Sequence, residues 1–224
     1  MEFVLYWENF GQSRKLEQLN DFFDWVEWCI HTGVVFLFSC TVVLIVPFVQ
    51  IYTKGINDVN YIRPQFAVLL TISYTVYCLQ IPYHIMVLAV GHYKQTQKYF
   101  ITASLINLSV PILTVYKFDI IGVSIGTLAA MTYQMIVLLR YTMKNFFHRS
   151  IIKIIKRMII DAISMICVFV LGQVVYIDCI SYIQWFYYAL ITIVIATTTI
   201  LIINFIFYRE RIVYFLGKII RKAR

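Results

Sequence analysis

Long apolar runs dominate the chain, and six of them are long enough to cross a lipid bilayer. A spanning helix needs about 20 mainly apolar residues, and the runs lie near 29–52, 64–91, 99–116, 118–141, 157–177 and 183–207. Only 13% of the 224 residues are charged, whereas a soluble domain carries roughly 25%. The sequence therefore predicts an all-α integral membrane protein with about six transmembrane helices.

The segment before the first run, residues 1–28, has two faces of different polarity. Its apolar side chains recur at intervals of three and four residues, with acidic side chains between them. The apolar residues are Leu16, Leu19, Phe22, Phe23 and Val26, and the acidic residues are Glu17, Asp21, Asp24 and Glu27. This periodicity is typical of an amphipathic helix. We interpret 1–28 as a cytoplasmic lead-in at the membrane interface, with Trp25 and Trp28 as anchors.

The first two runs each contain an internal proline. Pro47 lies in the first run and Pro82 in the second. Proline removes a backbone donor and kinks a helix, and a spanning segment tolerates this only where neighbours or a cavity satisfy the freed groups. Kinks are therefore predicted at both prolines, either around a cavity or as simple packing features.

The fourth run opens with small residues after a tight turn that contains Lys117 and Asp119. Gly122 and Gly126 recur at four-residue spacing, with Ser124, Ala129 and Ala130 nearby. Small side chains let membrane helices approach closely. This face is predicted to be a helix contact.

Cationic side chains mark the connections between runs, most clearly in the segment GHYKQTQK at 91–98. Gly91 predicts a helix end there, and Lys94 and Lys98 follow it. With a cytoplasmic amino terminus, sixteen cations lie on the inner side and three on the outer side. The outer cations are Lys54, Arg63 and Lys117. The inner cations are Arg14, Lys15, Lys94, Lys98, Arg140, Lys144, Arg149, Lys153, Lys156, Arg157, Arg209, Arg211, Lys218, Arg221, Lys222 and Arg224. This excess predicts that both termini are cytoplasmic.

The chain offers few groups for catalysis. It contains no nucleophile elbow, Gly-rich phosphate loop or HExxH motif, and its five cysteines form no CxxC. His84 is the only histidine well inside a run, and Asp161 lies four residues after Arg157, where an ion pair is expected. We predict no catalytic residue, no metal and no cofactor. Because the cations lie between apolar runs, nucleic acid is not an expected partner.

Three separated strings match a known family in order and spacing. They are PFVQIYTKGINDVNYIRP, IPYHIMVLAVGHYKQTQ and INLSVPILTVYKFDIIGVSIGTLAAMTYQ. Over about Asn9 to Lys144 the chain resembles the carboxy-terminal part of Wzx-type polysaccharide and O-antigen flippases. These belong to the multidrug/oligosaccharidyl-lipid/polysaccharide exporter superfamily and have a MATE-like fold. The resemblance implies four core transmembrane helices in 29–144. Residues 145–224 would then form a basic linker, an appended pair of transmembrane helices and a basic cytoplasmic tail.

The resemblance also implies a function in polysaccharide and lipopolysaccharide assembly. Such proteins move undecaprenyl-diphosphate-linked oligosaccharide across the bacterial cytoplasmic membrane, between two helical bundles. One partial bundle cannot enclose that cavity, so the chain is expected to be a fragment or to need a missing amino-terminal half or split partner. The candidate substrate-binding residues are Arg63, His84, Lys94 and Lys98, because cations suit a diphosphate. Lys94 and Lys98 also fit a purely topological role.

Two other functions remain open at this point. A MATE-like cation-coupled multidrug exporter would share the fold but needs an intramembrane carboxylate, for which the sequence offers only Asp161. A membrane-bound glycan polymerase or acyltransferase would need large outer loops with polar catalytic groups. The outer connections of this chain are short.

Overall fold

The chain is helical almost throughout. The computed structural model describes residues 2–56, 58–146, 151–177 and 179–222, with side chains described between 19 and 209. The helices are α1 Glu2–Tyr52, α2 Pro64–Leu79, α3 Ile81–Ala89, α4 Tyr93–Phe118, α5 Ile120–Asn145, α6 Ile151–Val174 and α7 Tyr182–Lys222. No strand occurs in these ranges, which confirms the all-α prediction.

Five segments of the described chain are long and apolar enough to cross a membrane. They are Leu19–Tyr52, Pro64–Ala89, Tyr93–Phe118, Ile120–Asn145 and Tyr182–Arg209. Each coincides with one of the predicted runs. The first begins earlier than the predicted 29–52, because α1 continues without interruption through residue 28.

The fifth predicted run, 157–177, differs from this expectation. Its residues form α6, but α6 is not among the five candidate spans. Lys153, Lys156, Arg157 and Asp161 occupy the first half of the helix, so its uncharged part begins only at residue 162. That part is shorter than the roughly 20 residues that a bilayer requires.

Several cations that were counted for topology fall outside what the structure describes. Arg149 and Arg224 lie outside the described residues, and the described side chains do not include Arg14, Lys15, Arg211, Lys218, Arg221 and Lys222.

The chain divides into two compact units. Unit 1 comprises Met1–Val34 and Ser73–Ile151, and unit 2 comprises Val35–Ile72 and Ile152–Arg224. α1 and α2 each contribute residues to both units.

In unit 1, α4 and α5 form a closely packed antiparallel pair. A Cβ atom at Gly122 would lie 2.8 Å from both the carbonyl carbon and Oγ1 of Thr114, and one at Gly126 would overlap the ring of Pro111. Both glycines are buried. The small-residue face of α5 therefore packs directly on α4, as small faces allow between membrane helices.

A single residue, Asp119, connects α4 to α5. Its φ is 52° and its ψ is −139°, a backbone conformation that is common only for glycine. The amide of Asp119 donates to the Val115 carbonyl at 2.8 Å. The local hydrogen bond and the packing of the two helices hold this turn in place.

The connection between α2, α3 and α4 follows proline and glycine. α2 ends at Leu79 and α3 begins at Ile81 with Pro82 in its first turn, where a missing amide costs little. α3 ends at Ala89, and Gly91 adopts a φ of 78°. The His92 amide then donates to the Val87 carbonyl at 3.0 Å, which closes the helix end.

In unit 2, a neighbouring helix supports the region of α1 around Pro47. Proline cannot donate to the preceding turn, and its ring disturbs the carbonyls there. The indole Nε1 of Trp185 in α7 donates to the Leu44 carbonyl at 3.2 Å, and its ring lies 5.3 Å from that of Phe48. This contact supplies a donor to a carbonyl three residues before the proline, in the turn that the proline ring disturbs.

The close α4–α5 contact leads to a stability prediction. Gly126→Ala places a methyl group against the rigid ring of Pro111, so we expect a loss of about 1–3 kcal/mol of unfolding free energy. The matched control is Gly33→Ala, since Gly33 is also helical but has nothing within 4 Å of its Cβ position. Unfolding in detergent, followed by circular dichroism, measures both. Equal midpoints for the two variants would contradict the packing.

Candidate functional site

The candidate site is the cationic end of the α4–α5 pair. A hydrogen bond of 2.8 Å joins Nδ1 of His92, just before α4, to the hydroxyl of Tyr141 near the end of α5. Either group can donate, depending on the imidazole tautomer. Since the bond joins the start of α4 to the end of α5, it brings the polar termini of both helices to one place.

Aromatic rings surround this hydrogen bond. The ring of Phe146 lies 5.1 Å from that of His92, and the ring of Tyr99 lies 6.2 Å from that of Tyr141. Edge-to-face and tilted pairs at these separations stabilise one another. The cluster fixes the two helix ends relative to each other at the point where the apolar helices become polar.

Four exposed cations lie at this end of the pair. Lys94 and Lys98 belong to the first turns of α4, and Arg140 and Lys144 belong to the last turns of α5. Nζ of Lys98 lies 5.3 Å above the ring of Tyr99. Lys117, by contrast, lies at the opposite end of α4. The arrangement concentrates positive charge beside aromatic rings and can bind an anionic group such as a phosphate.

The other two predicted site residues lie elsewhere. His84 is half-buried on α3, and its ring packs 4.9 Å from that of Phe100 on α4. Arg63 immediately precedes α2 in unit 2, is exposed, and its Nε donates to the Asn60 carbonyl at 3.4 Å. Within unit 1, the structure places Lys94 and Lys98 together at the cationic end and His84 in an aromatic contact.

A buried carboxylate is the residue that the sequence analysis missed. Glu27 is only 2% exposed, and the hydroxyl of Tyr83, itself fully buried, donates to its Oε1. The ring of Tyr83 also packs on Phe23 at 5.8 Å. The amphipathic pattern assigned Glu27 to a polar face at the interface. The structure instead places it inside the span Leu19–Tyr52, between α1 and α3.

His31 lies one turn beyond Glu27 on the same buried face of α1. It is 1% exposed and falls within the same span, so His84 is not the only histidine inside a spanning segment. The spacing of Glu27 and His31 was the available signal, because residues four apart share one side of a helix. Two ionisable residues on one side of a membrane helix indicate a buried polar contact.

Within the ranges that the structure describes, no three His, Cys, Asp or Glu side chains are grouped to hold an ion. Arg157, which was expected near a surface ion pair, is buried in unit 2, and its guanidinium lies 6.0 Å from the ring of Tyr208.

Comparison with known proteins gives no relative. No protein-family model, curated protein or solved structure matches the chain.

The buried Tyr83–Glu27 hydrogen bond can be tested through stability. Tyr83→Phe keeps the ring contact with Phe23 but removes a donor from a buried carboxylate, so we expect a loss of about 1–3 kcal/mol. Tyr77→Phe is the control, since Tyr77 is 42% exposed and its hydroxyl has no hydrogen bond with the described residues. Detergent unfolding of both variants provides the measurement. If Tyr83→Phe were as stable as the native chain, the bond would have no energetic role.

Proposed function

We propose that the chain is part of a MATE-like transporter that moves undecaprenyl-diphosphate-linked oligosaccharide across the bacterial cytoplasmic membrane. The observation that carries the proposal is the grouping of Lys94, Lys98, Arg140 and Lys144 at one end of two membrane-length helices. A diphosphate needs several cations at the depth where its lipid tail enters the bilayer. The resemblance of three sequence strings to Wzx-type flippases supports the same cargo.

The rest of α4 suits the lipid part of such a cargo. Leu105, Leu108 and Ile112 are 59%, 62% and 56% exposed and lie on one side of the helix. A polyprenyl chain can lie along this apolar surface while its diphosphate contacts the cationic end. In this arrangement a second bundle, from a partner or another part of the protein, completes the cavity for the sugars.

The buried carboxylate favours a second candidate function. A cation-coupled multidrug exporter of the same superfamily needs an ionisable group inside the membrane, and Glu27 lies buried within a candidate span beside Tyr83. For such an exporter, transport of cationic drugs would depend on Glu27. For the flippase, cargo binding depends first on Lys94 and Lys98.

The proposed orientation has the cationic end of α4 and α5 in the cytoplasm. Five candidate spans would then place the carboxy terminus outside, whereas six place it inside, so α6 decides the topology. We propose that α6 also crosses the membrane. Its uncharged part alone is too short, but all 24 residues of the helix are about 36 Å long at 1.5 Å per residue, enough to span the bilayer with the charged first turns at its inner surface. Its cations Lys153, Lys156 and Arg157 then lie at the inner surface, as the positive-inside rule requires.

Reporter fusions test this orientation. Alkaline phosphatase, active only outside, and green fluorescent protein, active only inside, are fused after Asn145, Val175 or Arg224. We expect fluorescence after Asn145 and Arg224 and phosphatase activity after Val175. Fluorescence after Val175 would show that α6 does not cross the membrane.

Lipid binding tests the cargo. Lys98→Ala is expected to weaken binding of undecaprenyl diphosphate to the purified chain about fivefold, since a cation near a membrane surface is worth about 1 kcal/mol. Adding Lys94→Ala should bring the loss to about thirtyfold on the same basis. Native mass spectrometry or a titration in zwitterionic nanodiscs measures the affinity.

The control is Lys117→Ala at the other end of α4. Lys117 is also exposed and lies 5.6 Å above an aromatic ring, that of Phe118, so it matches Lys98 in local environment. We expect its substitution to leave the affinity unchanged. Equal losses at both ends, or equal losses for phosphatidylglycerol and undecaprenyl diphosphate, would contradict a diphosphate site at the cationic end.

A further inference from the structure

Helix α7 is interrupted near the end of its membrane span. Tyr208 has a φ of −131° and a ψ of 29°, outside the helical region, although α7 continues to Lys222. The candidate span Tyr182–Arg209 ends one residue later. Residues 182–207 are about 39 Å long at 1.5 Å per residue, so the chain has crossed the roughly 30 Å apolar core of a bilayer by this point. The break therefore lies at a membrane surface.

Cation–aromatic contacts flank the break. The guanidinium of Arg157 on α6, only 7% exposed, lies 6.0 Å from the ring of Tyr208. Just after the break, Arg209 is exposed, and its guanidinium lies 5.8 Å from the ring of Phe205. An arginine in this position keeps its stem on apolar surface while its charge reaches the headgroups. These contacts fix the level at which the span ends.

Two further cations lie at the same level. Since Arg157 contacts Tyr208, the first turns of α6 lie beside the break in α7. Lys153 and Lys156 belong to those turns, and both are exposed. Unit 2 therefore has a positively charged surface where the second part of α7 begins.

The composition of α7 changes at the break. Residues 182–208 contain no charged side chain, whereas 209–222, RERIVYFLGKIIRK, contain five cations and one carboxylate. The backbone stays helical through Lys222. The second part of α7 is therefore a short, basic helix attached directly to a membrane span.

This basic helix has two faces of different polarity. At about 100° per residue, its apolar positions fall within roughly 160° of arc, and its charged positions after Arg209 fall within roughly 120° on the other side. The apolar positions are Ile212, Val213, Phe215, Leu216, Ile219 and Ile220, and the charged positions are Glu210, Arg211, Lys218, Arg221 and Lys222, with Tyr214 among them. This division is typical of a helix that lies in the plane of a membrane interface.

We propose that residues 209–222 lie flat on the membrane surface and bind the headgroups of anionic phospholipids such as phosphatidylglycerol. A straight continuation of α7 would carry the apolar positions about 21 Å into water. Turning at Tyr208 places them in the lipid interface instead. The cations of the charged arc outnumber its one carboxylate and complement the phosphates of the headgroups. Because the span delivers the helix to the lipid surface, lipid is the partner that lies next to it.

Nitroxide labels test the position of the helix. In the full chain the label is attached to Leu216→Cys on the apolar arc or to Lys218→Cys on the charged arc, in vesicles of phosphatidylglycerol and phosphatidylcholine. We expect oxygen, which concentrates in lipid, to relax the label at position 216. A water-soluble nickel chelate should relax the label at position 218. The labelled native chain, with its five cysteines, provides the background to subtract.

Two results of this measurement would overturn the proposal. If the nickel chelate reaches both positions equally, the helix stands in water. If neither reagent reaches position 216, that position packs against protein, either in this chain or in a partner, and not against lipid.

Charge removal tests the headgroup contact. In vesicles that contain phosphatidylglycerol, the ratio of lipid-facing to water-facing label at position 216 should fall about fivefold in Lys218→Gln and about twenty-five-fold when Lys222→Gln is added. Glu210→Gln is the matched control, because it changes the same arc but removes a negative charge, so the ratio should not fall.

The lipid itself provides the second control. In vesicles of phosphatidylcholine alone, the lysine substitutions should leave the ratio unchanged, because the surface carries no net charge. An unchanged ratio in phosphatidylglycerol, or equal losses in both kinds of vesicle, would overturn the headgroup contact. The inference is independent of the transported molecule, because none of these measurements involves cargo.

Discussion

The absence of water around the spans is the constraint on which this structure depends. Each backbone donor and acceptor must find a partner within the protein, so the apolar segments become helices. The side chains follow the same rule. The hydroxyls of Thr102, Thr142 and Thr192 all donate to carbonyls four residues earlier, and Trp185 supplies a donor near Pro47.

Close backbone approach provides the remaining cohesion in unit 1. Gly122 and Gly126 let α5 touch Thr114 and Pro111, and the pairing brings His92 next to Tyr141 at the far end. The cationic end is thus a consequence of packing that occurs several turns away. A different contact, from Tyr83 to Glu27, ties α3 to α1.

The sequence predicted the positions of the helices well and their buried faces poorly. Apolar length located the spans, and Pro82 and Gly91 marked the breaks around α3 because their backbone chemistry is local. The amphipathic pattern of α1 predicted one apolar face at the membrane interface, but the residues of that face differ in burial: Phe22 and Leu19 are 63% and 38% exposed, whereas Phe23 is buried. Glu27, from the polar face, is buried as well.

The reason that a polar residue is buried is the surrounding medium. In water, apolar side chains turn inward, whereas in a bilayer they are equally stable outside and the polar side chains seek the interior. A periodicity of three and four residues identifies two faces but does not say which one packs. α6 shows a related difficulty: the run 157–177 was predicted to span the membrane, but the first half of the helix is charged and α6 is not among the five candidate spans.

The one-residue connection at Asp119 has a consequence for biogenesis. α4 and α5 are 26 residues each, or about 39 Å at 1.5 Å per residue, and no slack separates them. Neither helix can insert into the bilayer long before the other, since the one-residue turn must already lie on the far side of the membrane when the second helix begins to form. The pair is therefore expected to leave the insertion machinery as one hairpin, already matched in register.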